Sequence, residues 1–208
     1  FLLIAVAGSG IMGDRLSGGN AALALLANSV ATGAALVALI LTFSPVSGAH
    51  FNPAVSLTEA ARGRLRWPEV MSFVIAQVTG AACGVMVAHV MFGEPLLSAS
   101  THARAGWAQS FSECVATFGL LSVVISCGRT RPGAVPFAVG AYITAAYWFT
   151  SSTSFANPAV TLARAATAAG AEIRCQARVA GFEVVAGRVA GVRLADRKST
   201  RLNSRHRT

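Results

Sequence analysis

The sequence predicts an all-α membrane protein built as an inverted repeat of transmembrane helices. Three observations lead to this prediction: a low content of charged residues, five apolar stretches and one motif that occurs twice. Of the 208 residues, 54% are hydrophobic and 12% are charged, and the mean hydropathy is +0.58. Soluble domains carry roughly 25% charged residues, so this composition favours lipid as the solvent.

The apolar stretches are judged against the ~20 residues that a transmembrane helix needs. Three of the five have this length, whereas the first and the last are short. We interpret the first as a truncated span, because the chain opens inside an apolar run. The stretches are Phe1–Met12, Ala21–Phe43, Val70–Phe92, Trp107–Cys127 and Pro136–Phe149.

A six-residue motif, Asn-Pro-Ala-Val-(Ser/Thr)-Leu, occurs at Asn52–Leu57 and again 105 residues later at Asn157–Leu162. Each copy follows an apolar stretch. Asn is a favoured N-cap residue and Pro is favoured at the first helical position, so both copies predict a helix start. The runs that follow, residues 53–62 and 158–168, each give about 15 Å of helix, which is half of a bilayer.

Arginines beside the spans predict the orientation. Arg62, Arg64 and Arg66 precede the third span, and Arg129 and Arg131 precede the fifth, which places both clusters on one side, the cytoplasm. The two Asn-Pro-Ala copies then enter from opposite faces, as in an inverted repeat. Their positive helix ends meet near the midplane and repel cations there.

Through these paired motifs and the spans around them, residues 1 to about 164 resemble the aquaporins and glycerol facilitators, the major intrinsic protein family. The resemblance implies six tilted helices and two half-helices, one pore per subunit and a homotetramer, so that a sixth span is missing here. It also implies that the two motifs form the centre of the pore, with the side-chain amides of the asparagines donating hydrogen bonds to a passing solute. The motif residues are Asn52, Pro53, Ala54, Asn157, Pro158 and Ala159. Backbone carbonyls before each motif would accept hydrogen bonds, and these belong to Gly48, Ala49, His50, Thr153, Ser154 and Phe155.

The resemblance further implies a narrow outer filter of four residues at set distances from the two asparagines. Counting along this chain gives Thr32, Ala145, Ser154 and Val160. The position of Val160 usually holds Arg in water channels. A small-sided, uncharged ring therefore predicts a wider and less polar opening.

Three other polar residues have predicted structural roles. Glu113 lies inside an apolar span, where a carboxylate marks a functional site by default, and the resemblance implies that it braces the second Asn-Pro-Ala loop by accepting backbone N–H bonds. His50 either fixes the first loop by hydrogen bonding or acts as a pH gate. Arg164 is expected near the outer end of the second half-helix, where it neutralises the helix dipole.

The end of the chain differs in character from the rest. We therefore divide the chain into a channel domain, residues 1–168, and a tail outside the family, residues 169–208. Glu172–Asp196 alternates apolar and polar residues, with turn signals at Gly181, Gly187 and Gly191, which predicts short β or coil structure. This stretch resembles a fragment of flavin-dependent dehydrogenases and residues 197–208 resemble translated adapter sequence, so we interpret the tail as chimeric or artefactual.

These observations predict a passive transmembrane channel for small neutral solutes: water, glycerol or undissociated metalloid acids such as arsenite. The alternatives are a secondary transporter, which is also built on inverted repeats, and a chimeric fragment without function. The predicted localisation is the cell (inner) membrane, with several passes. We expect no enzyme activity, cofactor or metal, because nothing in the sequence forms a nucleophile–base or metal-ligand pattern. The expected partners are the solute, the lipid bilayer and further copies of the chain, but not nucleic acid.

Overall fold

The structure of the chain is a computed structural model. It describes residues 1–95, 107–152 and 156–160, together with the backbone of residues 179–185 and 188–194. The chain divides into two compact units, residues 1–173 and 174–208.

The described part of the first unit is helical. Six α-helices follow one another, with a short 3₁₀ turn at Pro132–Ala134 before the last of them, and residues 158–160 begin a further helix. The all-α class predicted for this part is confirmed. The helices are α1 Leu2–Leu16, α2 Ala21–Ser47, α3 Pro53–Ala61, α4 Trp67–Phe92, α5 Trp107–Thr130 and α6 Val135–Phe149.

The helices extend beyond the apolar stretches because their ends are set by capping groups, not by hydropathy. The side chain of Asn20 accepts hydrogen bonds from the N–H groups of Ala22 and Leu23, which starts α2. The same helix continues past the predicted end at Phe43 until Gly48, which takes a left-handed conformation with φ of 73°. At the start of α4, Glu69 accepts a hydrogen bond from the backbone N–H of Arg66.

Close packing between α2 and α6 sets the rotation of α6. A Cβ added at Gly33 would lie 2.8 Å from the carbonyl oxygen of Gly140, and one added at Gly140 would lie 2.7 Å from that of Gly33. Only glycine allows the two backbones to approach so closely. This crossing joins the span before the first Asn-Pro-Ala motif to the span before the second, while α1 packs against both α2 and α4.

Within the described residues, three helices are long and apolar enough to cross a membrane: Ala21–Ser47, Trp67–Phe92 and Trp107–Thr130. Helices α1 and α6 have 15 residues each, about 22 Å at 1.5 Å per residue, which is less than the ~30 Å hydrocarbon core. The count of five spans therefore stays a prediction.

The second unit contains a β-hairpin, with β1 at Val179–Val185 antiparallel to β2 at Arg188–Leu194. The prediction of short strands in the tail is confirmed, but two of the predicted turns are wrong. Gly181 pairs with Arg193 and Gly191 pairs with Glu183, so both glycines lie inside strands. Each stands beside a shift in register, and glycine within a strand often marks such a bulge. The third predicted turn, at Gly187, lies outside the described residues.

Candidate functional site

The chain turns sharply between α2 and the first Asn-Pro-Ala motif. Gly48, Ala49 and Phe51 all have positive φ, of 73°, 49° and 49°. Non-glycine residues adopt this conformation at a cost of roughly 1–3 kcal/mol, and such strained residues cluster at functional sites. The turn carries the backbone from the end of α2 back into the bundle and delivers Asn52 to the start of α3.

Asn52 begins α3 as the sequence predicts. Its side-chain oxygen accepts a hydrogen bond from Ala54 N–H at 2.9 Å, and its amide nitrogen donates to the carbonyl oxygen of Ala156 at 2.6 Å. The residue is 4% exposed. One side chain therefore caps its own helix and also contacts the loop of the other motif.

Asn157 repeats this arrangement from the opposite motif. Its side-chain oxygen accepts from Ala159 N–H at 3.1 Å, and its amide nitrogen donates to the carbonyl oxygen of Phe51 at 2.7 Å. The two acceptors, Phe51 and Ala156, each directly precede the other asparagine, and both have positive φ, of 49° and 43°. The two Asn-Pro-Ala starts are thus in direct and reciprocal contact, with matching backbone geometry.

A cavity of about 350 Å³ lies against this pair. Its wall includes Asn52, Asn157 and the three predicted ladder residues Gly48, Ala49 and His50. The other predicted ladder residues, Thr153, Ser154 and Phe155, lie outside the described residues. An Asn amide group has two N–H donors, so Asn52 can donate to the opposite loop and also to a molecule in the cavity.

The cavity wall includes an ion pair that the sequence pattern does not single out. Glu59 and Arg64 both line the cavity, with a closest N–O distance of 3.6 Å between their side chains. The carboxylate of Glu59 also pairs with Arg62 at 2.7 Å. In the sequence, these arginines indicate only the orientation of the chain. The available signal was the spacing of Glu59, which lies in the last turn of α3, three residues before Arg62 and five before Arg64.

Two of the four predicted filter residues line the cavity. Thr32 and Val160 line the cavity and are 3% and 6% exposed, whereas Ser154 lies outside the described residues. Ala145 is exposed and is not among the described residues that line the cavity, so its place in the filter stays a prediction.

The rotation of α6 explains why Ala145 does not line this cavity. Its cavity face carries Val139, Ile143 and Tyr147, which are four residues apart and so lie along one side of the helix. Ala145 follows Ile143 by two residues, about 200° around a helix of 3.6 residues per turn. Counting back from Asn157 along the chain takes no account of how the glycine crossing turns α6. Helical spacing from Val139 would have found Tyr147.

Glu113 contacts the second Asn-Pro-Ala loop. Its carboxylate accepts a hydrogen bond from Ala156 N–H at 2.8 Å, and Ala156 is fully buried. The same residue thus has its N–H held by Glu113 and its carbonyl held by Asn52. This contact is of the kind that the family resemblance implies.

Glu113→Ala is expected to lower the free energy of unfolding by about 1–3 kcal/mol, the cost of leaving a buried N–H without an acceptor. Glu113→Gln keeps an acceptor oxygen at the same position, so its loss should be smaller. Thermal unfolding of the detergent-purified chain, followed by tryptophan fluorescence, measures both. This role would be contradicted if the unfolding midpoint of Glu113→Ala equalled that of the wild type. It would also be contradicted if the midpoint of Glu113→Gln were lower than that of Glu113→Ala.

His50 is held between the first loop and α4. Its Nδ1 lies 3.1 Å from the hydroxyl of Ser56, which also accepts a hydrogen bond from the Gln77 amide at 2.9 Å. The ring centre lies 5.2 Å from that of Phe73. These contacts suit the loop-fixing role, while the alternative of a pH gate stays a prediction. Arg164 lies outside the described residues.

Comparison with known proteins agrees with this geometry. The profile of the family described as Major intrinsic protein matches residues 1–169. The chain belongs to this family. Its members are membrane channels and not enzymes, so the site described above lies in a channel protein.

Three relatives illustrate the match. The chain is 56% identical to the aquaglyceroporin AqpS of Rhizobium meliloti over 166 residues, which is 80% of this chain and 71% of the relative. It is 33% identical to aquaporin NIP1-2 of Oryza sativa over 77% of this chain and 51% of the relative. The identity to the aquaglyceroporin of Toxoplasma gondii is 33%, over 61% of this chain and 49% of that protein. The chain thus spans about half the length of the last two relatives.

Proposed function

We propose that the chain forms a passive channel for small neutral solutes across the cell (inner) membrane, with a multi-pass topology. The solutes are water, glycerol and undissociated metalloid acids such as arsenite. The observation that carries this proposal is the reciprocal contact of Asn52 and Asn157, whose amides both line one cavity at the meeting point of two helix starts.

The electrostatics of this meeting point favour neutral solutes. Each helix N-terminus carries the equivalent of roughly +0.5 charge, so two of them together oppose a passing cation. Among the described residues, the carboxylate and guanidinium groups on the cavity wall are those of Glu59 and Arg64, which are paired with each other. An ion-coupled transporter uses ionisable groups within the membrane, and Glu113 is already engaged with Ala156.

The side chain at position 160 supports a range of solutes beyond water. Val160 places a short apolar side chain on the cavity wall, where the family resemblance leads one to expect Arg in water channels. Two of the relatives have names that describe them as aquaglyceroporins. Both points support the passage of glycerol and of neutral acids of similar size.

The intact protein is proposed to be a homotetramer in the bilayer. Large apolar side chains are exposed on the outer faces of several helices, as contacts with lipid or with other subunits require. Examples are Leu41 at 51%, Met71 at 65%, Trp107 at 85%, Phe118 at 75% and Phe137 at 57% exposed.

Stopped-flow light scattering on proteoliposomes that contain the full chain tests the proposal. An inward glycerol gradient should cause swelling well above that of protein-free liposomes, and a proton gradient of either sign should leave the rate unchanged. Swelling that requires a proton gradient would instead establish a secondary transporter. A rate equal to that of protein-free liposomes, with reconstitution verified, would contradict the proposal.

A further inference from the structure

Five arginines are concentrated at one end of the helix bundle. Three of them precede α4, and two lie where α5 leads into α6. Successive spans cross a membrane in opposite directions, so the start of α4 and the end of α5 lie at the same end. The five are Arg62, Arg64, Arg66, Arg129 and Arg131.

The acidic side chains do not balance these arginines. Glu59 and Glu69 are the acidic residues in the same segments, so five positive charges are set against two negative ones, a net of +3. At the opposite end, the described residues Asp14, Arg15 and Glu94 have a net charge of −1. The two ends of the bundle therefore differ in the sign of their charge.

Two of the five arginines have close ion pairs. Arg62 pairs with Glu59 at 2.7 Å, and Arg66 pairs with Glu69. Each of these guanidinium groups thus has a carboxylate as its direct partner, and both carboxylates at this end are engaged.

The uncompensated charge lies on the other three arginines. Arg64 reaches only the shared carboxylate of Glu59, at the longer distance of 3.6 Å, and its side chain is 49% exposed. Arg129 and Arg131 are exposed, and neither pairs with an acidic group in residues 1–95, 107–152 or 156–160. We refer to Arg64, Arg129 and Arg131 as the arginine triad.

The cavity wall connects the two segments that carry the triad. Arg64 itself lines the cavity. Gly128 and Pro132 line it too, and in the chain they flank Arg129 and Arg131. A guanidinium group has five N–H donors in a planar fork that matches the oxygens of a phosphate group. The single long contact of Arg64 leaves most of its donors available for such a ligand.

We infer that the arginine triad is a binding site for a phosphate group. A phosphate monoester carries about −1.5 to −2 charge at neutral pH and three strong acceptor oxygens, which complements the net charge and the donors at this end. The group belongs either to free inorganic phosphate or to the headgroup of an anionic lipid. The site concerns binding and not passage through the cavity, so it stands independently of the proposed function.

Thermal unfolding of the detergent-purified full chain in increasing inorganic phosphate is the first measurement. A ligand that binds only the folded state raises the unfolding midpoint. Potassium chloride at equal ionic strength is the control for general screening of charges. We expect the midpoint to rise and to saturate with phosphate, and to change much less with chloride.

A second measurement identifies the source of the phosphate group. Short-chain phosphatidylglycerol is added to the detergent solution in place of inorganic phosphate, with phosphatidylcholine, whose headgroup has no net charge, as its control. A rise of the midpoint with phosphatidylglycerol alone would assign the site to a lipid headgroup, and a rise with inorganic phosphate would assign it to the free ion. A midpoint that responds to neither, or that responds to the chloride and phosphatidylcholine controls just as strongly, would overturn the inference.

Variants of the triad test which residues bind. An exposed charge pair contributes up to a factor of about five in affinity, so Arg64→Gln should raise the Kd of the stabilising ligand about five-fold, and Arg64→Lys, which keeps the charge but not the fork, should raise it less. Arg129→Gln combined with Arg131→Gln should raise it about twentyfold. Because these two side chains have no ion pair within the described residues, the double variant tests the site even if Arg64→Gln folds poorly.

Arg15→Gln is the matched control at the opposite end of the bundle. Arg15 pairs with Glu94 at 2.7 Å, and its replacement should leave the Kd of the ligand at the wild-type value. The inference would be overturned by an unchanged Kd in the double variant, or by a loss of affinity in Arg15→Gln equal to that in the double variant.

Discussion

Val160→Arg is expected to reduce glycerol flux by about tenfold or more while reducing water flux far less. Val160 is 6% exposed, lines the cavity and packs in a cluster with Leu3, Ala81 and Val85. Arginine is longer and charged, so its guanidinium group would extend into the opening and exclude a three-carbon solute before it excludes water. A tenfold loss corresponds to about 1.4 kcal/mol of added barrier. Stopped-flow measurements with glycerol and with an impermeant osmolyte give the two fluxes on one preparation.

Val160→Met is the matched control, since methionine has similar length but carries no charge. If charge contributes beyond size, Met should reduce glycerol flux less than Arg. A proportional loss of both fluxes with Arg would mean that the site is not selective. Unchanged fluxes in folded protein would show that Val160 does not line the solute path.

Asn157→Asp, or equally Asn52→Asp, is expected to admit cations and to reduce the flux of neutral solutes. The carboxylate cannot donate to the carbonyl oxygen of Phe51, 2.7 Å away in the wild type, so the reciprocal contact is lost. Its negative charge also offsets the roughly +0.5 charge that each of the two helix starts contributes. Both changes remove the barrier to cations at the cavity. Two-electrode voltage clamp of oocytes, with surface labelling to verify expression, measures the conductance.

Asn28→Asp is a suitable control for that experiment. Asn28 is also a buried asparagine, at 2% exposed, but it is not among the described residues that line the cavity. Its side-chain oxygen is an acceptor, and aspartate keeps that role. An equal rise of ionic conductance in Asn28→Asp would count against the two helix starts as the cation barrier. So would a conductance that stays at the wild-type level in both Asn157→Asp and Asn52→Asp.

Local signals along the chain determined the helix starts and the family. Asn followed by Pro specifies an N-cap and a first helical residue by direct hydrogen bonding and by the fixed φ of proline, so α3 begins at Pro53 as predicted. The duplication of the motif predicted two such starts. Low charge content predicted the membrane class, because each charged residue is costly in lipid.

Tertiary structure decided which side chains share the cavity. The reciprocal bonds of Asn52 with Ala156 and of Asn157 with Phe51 join residues more than one hundred positions apart, and no local pattern encodes such a contact. The same holds for Ala145 and Tyr147. Their positions relative to Asn157 are known from the sequence, but the rotation of α6 depends on the close approach of Gly33 and Gly140. The sequence by itself therefore determined that two half-helix starts exist and what residues they contain. Helix packing decided that Tyr147, and not Ala145, lines the cavity, because the direction of a side chain depends on how its helix is rotated against its neighbours and not on distance along the chain.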